Sequence, residues 1–201
     1  MKDHHAHRQF LKDSLRKTID FRRSPQSLGA PVPQMQKEAA DSLPRISLCS
    51  EQDFEELVAQ KSIVDIIRSR KSRRKFSDTP LSILELSYLL WATQGLRDSR
   101  KAQPQLRTVP SAGARHSFES YLFIHRVETI PPGLYRYLPL SNELVLLYEG
   151  YEGLKEQILR SAFGQKFVAN CAATFVWTTI PYRMEWRYLD AAHRVILLDA
   201  G

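Results

Sequence analysis

Apolar residues follow no sustained period up to about position 60 and fall into helix-like and strand-like spacings after it. The first stretch includes "RRSPQSLGAPVPQMQKEAADSLPRI", where proline, serine and glycine lie among charges. It predicts an arm over residues 1–60, preceded by a short helix from Gln9 to Ile19. From Ser62, "SIVDIIRSR" joins a capping Ser62 to Asp65 and sets Ile63, Ile66 and Ile67 on one side of a short helix. Next, "TPLSILELSYLLWATQGL" predicts a longer helix. Ser82 and Glu85 form its capping box, Leu86, Leu89, Leu90 and Thr93 its buried stripe, and Gly95 its stop.

The polar stretch "GLRDSRKAQPQLRT" reads as a loop. After it, "ESYLFIHRV", "GLYRYLP" and "NELVLLYEG" are rich in β-branched and aromatic residues and are separated by "PPG" and "PLSN", which predicts three antiparallel strands. A helix at "EGLKEQILRSAF", an apolar strand at "CAATFVWTTI" and a helical stretch "YLDAAHRVILLDAG" follow. Helices mixed with antiparallel strands, without internal repeats, make the class α+β.

Composition narrows this picture. A chain of 201 residues, 43% hydrophobic, is long enough for one well-buried domain, taken here as residues 61–201 beyond the arm. A net charge of +7 favours anionic partners without choosing among them. Cys49 and Cys171 stand far apart without metal-ligand spacing, and the start "MKDHHAHRQF" has no apolar core of a signal peptide. Together with the lack of an apolar run long enough to cross a bilayer, these features predict a soluble cytoplasmic protein with no membrane contact. His4, His5 and His7 lie in a terminus that holds no ligand geometry, so no metal is expected. Trp91, Trp177 and Trp186 read as core or interface residues, and Cys171 as a small buried hydrophobe.

The charge has one focus. "RSRKSRRK", Arg68 to Lys75, carries six basic residues in eight positions. Nucleic acid, a membrane surface and a phosphorylated small ligand are the candidate partners. In an extended segment Arg70, Ser72 and Arg74 share one face, which makes a phosphate cradle of two planar cations and a hydroxyl. Further on, "PSAGARH", Pro110 to His116, sets three small residues after a proline, where backbone N–H groups can approach an anion or a flat ring.

In their order, R-x-S-x-R, a capped helix ending "WATQG", a basic loop and "RTVPSAGARHSFESYLFI" resemble the nitroreductase superfamily of flavin enzymes, most of all its SagB-type branch. The resemblance continues through "PPGLYRYLPLSNELVLL" into "WRYLDAAHRVILLDAG". It implies an antiparallel sheet flanked by helices in an intertwined homodimer, with FMN as cofactor and NADH or NADPH as electron donor. It further implies that Arg70, Ser72 and Arg74 hold the FMN phosphate and ribityl chain. Pro110, Ser111, Ala112 and Gly113 would then lie against the isoalloxazine of the partner subunit.

Where the branch's azoline dehydrogenases carry a Lys-Tyr pair, this chain has Arg187 and Tyr188. An arginine orients and stabilises charge but is a poor general base. Tyr188 is therefore the candidate proton donor, and reduction of a small electron-poor compound is expected ahead of oxidation of a peptide azoline ring. In the family "LDAG" continues into a further segment with flavin contacts, which this sequence is expected to lack. Two rivals stand beside this reading: a basic nucleic-acid-binding module built on Arg68 to Lys75 and the loop around Arg97 to Lys101, and a flavin-free relative without activity.

Overall fold

The computed structural model of the protein describes residues 4–54, 58, 61–97 and 106–201. The chain divides into two compact units. One comprises Met1–Lys37, Arg97–Glu119 and Thr178–Gly201; the other comprises Glu38–Leu96 and Ser120–Trp177.

In the first unit, the helix expected over Gln9 to Ile19 is replaced by α1 (His5–Phe10) and a separate 3-10 turn at Asp13–Thr18. The Asp13 carboxylate, at the start of that turn, is bound by Arg16 and by Arg194. The "YLDAAHRVILLDAG" stretch is also divided. The helix α6 (Tyr182–Tyr188) ends at Leu189, whose φ of 49° and ψ of −134° no helix tolerates, and α7 (Ala192–Ala200) begins after a 3-10 turn. Met184, Ala192 and Ile196 form the core of this unit, with Phe118, Tyr188 and Val195 packed around them. The proline-rich arm folds onto α6: Trp186 Nε1 donates to the Ala30 carbonyl at 3.1 Å, and the Gln26 N–H to the Trp186 carbonyl at 2.9 Å.

The second unit is built on a five-stranded sheet in the order β1-β4-β3-β2-β5. Its strands are β1 (Arg45–Ser47), β2 (Phe118–Ile124), β3 (Gly133–Leu138), β4 (Glu143–Glu149) and β5 (Ala173–Thr179), of which β2 begins and β5 ends with two residues of the first unit. The three predicted strands pair antiparallel, Tyr121 opposite Arg136 and Tyr137 opposite Leu144. Their turn at Asn142, with φ of 54°, uses the left-handed conformation that asparagine accepts. At one edge β1 pairs Ile46 with Leu144. At the other, β5 runs antiparallel to β2, with the His125 N–H on the Ala172 carbonyl at 2.9 Å. Only β1 lay in the segment read as an arm, and three residues are too few to carry a period.

Helices α2 (Ile63–Ser69), α3 (Ile83–Gln94), α4 (Leu154–Ser161) and α5 (Lys166–Asn170) complete this unit. The capping box of α3 is complete, Ser82 Oγ accepting the Glu85 N–H at 3.1 Å and Glu85 Oε2 accepting the Ser82 N–H at 2.8 Å. Its stripe is narrower than expected. Leu86 and Leu90 are fully buried with Leu122, Ile124 and Tyr135, whereas Leu89 is exposed. Gly95 does end α3, but with a φ of −64°; glycine is needed because a Cβ would meet the Trp91 backbone and ring at 2.7 Å. The cap of α2 at Ser62 forms as predicted, yet Ile63, Ile66 and Ile67 are 73%, 52% and 69% exposed, so its apolar side remains open. Most of the loop expected after Gly95 lies outside the described residues.

Candidate functional site

The sequence "PSAGARH" folds as a turn held from three points of the first unit. Ser111 Oγ accepts the His116 N–H at 2.9 Å, the Ala112 N–H donates to Asp199 Oδ1 of α7 at 3.2 Å, and the Arg183 guanidinium of α6 donates to the His116 carbonyl at 3.2 Å. Gly113, Ala114 and His116 all adopt positive φ, at 59°, 52° and 45°. Two of these carry a Cβ, so the turn is held in a costly conformation by its surroundings.

Its apex meets the end of α6. A Cβ on Gly113 would stand 2.7 Å from Tyr188 Oη, 3.0 Å from Arg187 Cδ and 3.1 Å from Arg187 Nε. Leu189, another residue of this unit at positive φ, follows directly. Folding thus brings together two predicted groups that are remote in sequence, Pro110–Gly113 and Arg187–Tyr188. Arg115, which residue reasoning passed over within its own motif, joins them. Its Nε donates to the Gly113 carbonyl at 3.0 Å and its guanidinium lies 5.2 Å from the Trp186 ring centroid.

The electrostatics here are cationic. Burial first, and then the like charge of Arg187, hold Arg115 below its ordinary range. His116, 4% exposed, is pushed down to about 4 by burial and by the guanidinium groups of Arg107, Arg115 and Arg183, so its ring is neutral at physiological pH. Beneath the turn, Arg183 and Glu119 form a fully buried ion pair at 2.5 Å, and Glu119 also accepts the Lys37 N–H at 2.8 Å. Of these residues only Arg115 and His116 had a local signal, their place in the motif; Asp199 and Glu119 act across distances that no spacing reveals.

In the second unit, Arg70 caps the C-terminus of α2, and residues 71–77 continue without helix or strand, all exposed. Arg70 and Ser72 make no side-chain hydrogen bond or ion pair among the described residues, and the Arg74 guanidinium stands 5.7 Å from the Phe167 ring centroid. The side chains of Arg70 and Ser72 are therefore uncommitted among the described residues, while Arg74 lies over Phe167. No cluster of three or more metal-ligating side chains occurs among the described residues.

Comparison with known proteins places this arrangement. The chain is 28% identical over 149 residues to a protein of Methanocaldococcus jannaschii assigned as a nitroreductase, covering 74% of this chain and 70% of that one. A crystal structure from Ralstonia eutropha, likewise assigned as a nitroreductase, superposes with a TM-score of 0.59 at 26% identity, over 81% of this chain and 69% of the other. Two further structures share the fold. One, from Anabaena variabilis, matches at TM-score 0.62 and 23% identity; 98% of this chain is covered, but it spans only 35% of that longer one. The other is the Escherichia coli microcin synthetase McbBCD complex, solved with truncated pro-MccB17 bound, at TM-score 0.50 and 19% identity over 78% of this chain and 65% of that one. The Nitroreductase family model matches residues 67–201, from the basic run through the strained turn to α7, and the chain therefore belongs to the nitroreductase family of oxidoreductases.

Proposed function

We propose that this oxidoreductase depends on FMN, takes hydride from NADH or NADPH and delivers it to a small electron-poor organic compound. The observation that carries the reading is the small-residue turn Ser111–Gly113, with Gly113 held at positive φ beside Arg187 and Tyr188. A flat ring lying close to backbone needs such a surface. The donor set of Arg70, Ser72 and Arg74 suits a phosphate monoester equally well. Each surface fits one part of FMN, the small residues its ring and the cations its phosphate.

What FMN supplies is a ring that accepts and releases hydride; the protein supplies binding, orientation and electrostatics. On this reading Arg70 and Arg74 neutralise the phosphate while Ser72 Oγ donates to it. Pro110, Ser111, Ala112 and Gly113 lie against the ring carried by the partner subunit. Tyr188 Oη gives a proton to the reduced substrate, and Arg187 orients the substrate and stabilises developing negative charge. Exposed aliphatic side chains on α2 support a homodimer, since a contiguous apolar patch marks an interaction surface. The motif order sets the chain in the SagB-type branch, and Arg187 in place of lysine favours small-molecule reduction over azoline oxidation. Both cysteines are free, in keeping with a cytoplasmic setting, and among the described residues no helix is long and apolar enough to cross a membrane.

The test is the visible spectrum of the purified protein and its flavin-to-protein ratio after reconstitution with FMN. Stoichiometric flavin, bleached by NADH or NADPH, is expected. Arg70→Ala or Arg74→Ala should each weaken FMN binding by about tenfold or more, the usual loss for a charge-assisted hydrogen bond. Failure to retain flavin after reconstitution would sink the reading in favour of a flavin-free relative.

A further inference from the structure

Four arginines crowd the strained turn, and they are of two kinds. Arg183 is engaged by Glu119 and the His116 carbonyl, and Arg107 donates to the carbonyls of Phe118 and Met35. Arg115 and Arg187 are different. Arg115 commits only its Nε, to the Gly113 carbonyl, and Arg187 makes no hydrogen bond or ion pair among the described residues. Both touch Gly113, and Tyr188 Oη lies at the same point without an acceptor among the described residues.

The acids around the turn are directed elsewhere: Glu119 belongs to Arg183, Glu185 holds His193 at 2.9 Å, and Asp199 receives the Ala112 N–H on Oδ1 and keeps a buried Oδ2 without a hydrogen-bond partner among the described residues. Arg115 and Arg187 form no ion pair among the described residues; two such neighbouring guanidinium groups repel each other, and an anion taken up between them removes the repulsion and gains planar hydrogen bonds. The cluster is anchored, because Arg115 stacks on Trp186, which is 5% exposed and fixed to the arm.

We propose that Arg115 and Arg187 form an oxyanion-binding pair at Gly113 that selects an acidic electron acceptor, a small electron-poor organic carboxylate. The inference rests on the substrate-facing role given above to Arg187 and Tyr188. The same planar cations suit a phosphate, whose sources would be FMN or the nicotinamide dinucleotide, so the test separates carboxylate from phosphate.

Isothermal titration of the purified protein with para-nitrobenzoate and para-nitrobenzamide measures the pair directly, with no turnover required. The carboxylate is expected to bind about tenfold tighter than the neutral amide, and Arg115→Gln or Arg187→Gln to remove most of that preference while Arg115→Lys keeps part of it. The preference of the protein for FMN over riboflavin, measured in parallel, should be unchanged in both glutamine variants. Equal binding of acid and amide by the unmodified protein, or no binding of either at millimolar concentration, overturns the proposal whether or not a variant folds. Loss of the FMN preference in step with the carboxylate preference also overturns it, by assigning the pair to the cofactor's phosphate. Intact carboxylate preference in a protein that retains no flavin would leave the pair standing and remove the flavin reading instead.

Discussion

Gly113 and His116 show how single residues carry the strain of the turn. Gly113→Ala places a Cβ in a left-handed conformation, which alone costs about 1–2 kcal/mol, and drives it against Tyr188 Oη. The loss of thermal stability should be smaller in a Tyr188→Phe background, where the hydroxyl is gone; equal losses in both would show that the contact is not why glycine stands there. His116 links the same turn to pH. Its folded ring is pushed down to about 4 from an ordinary 6.5. Between these values the unfolded chain takes up a proton that the folded one refuses, so stability is full above 6.5 and falls as pH drops toward 4. Urea midpoints measured across that window should decline less for His116→Asn, since asparagine tolerates the φ of 45° and carries no titrating group.

Among the elements, the junction of β2 with α6 decides whether the turn is held at all. Glu119 and Arg183 are each 3% exposed, and between them they bind the His116 carbonyl and the Lys37 N–H. Removing one member leaves the other charge buried without its partner. Glu119→Ala should therefore destabilise the protein by about 3–5 kcal/mol, read from equilibrium urea denaturation. A loss below about 1 kcal/mol is what an exposed pair would give and would contradict the burial. By contrast α3 was legible from its sequence, because a capping box and a stripe at Leu86 and Leu90 are local, short-range features. The division of the last helix at Leu189 was not, since nothing in leucine's own propensity predicts a φ of 49°.

For the molecule as a whole, α2 carries the open question of assembly. Ile63, Val64, Ile66 and Ile67 are all exposed, a patch that a solitary chain leaves in water at a cost of about 1.5–3 kcal/mol for each side chain that could be buried. Ile67→Lys should convert a dimer to a monomer in sedimentation equilibrium. Flavin retention should fall with it, if the turn of one subunit covers the ring held by the other. A dimer that survives Ile63→Lys together with Ile67→Lys would move the interface to another face.

What the sequence determined by itself was the set of short-range facts. These are the caps at Ser62 and Ser82, the strand pairings around Asn142, the small-residue turn at Gly113 and the concentration of charge at Arg68 to Lys75. Each depends on neighbours within a few positions, where backbone propensity and side-chain period act directly. Tertiary structure alone decided that Tyr188 closes on Gly113, that Asp199 holds Ala112, that three residues at Arg45–Ser47 extend the sheet, and that α2 keeps its apolar side bare. A period states which face of an element is apolar and not what comes to cover it. Contacts between remote segments depend on how the whole chain closes, and that closure sets Arg115 and Arg187 beside one glycine.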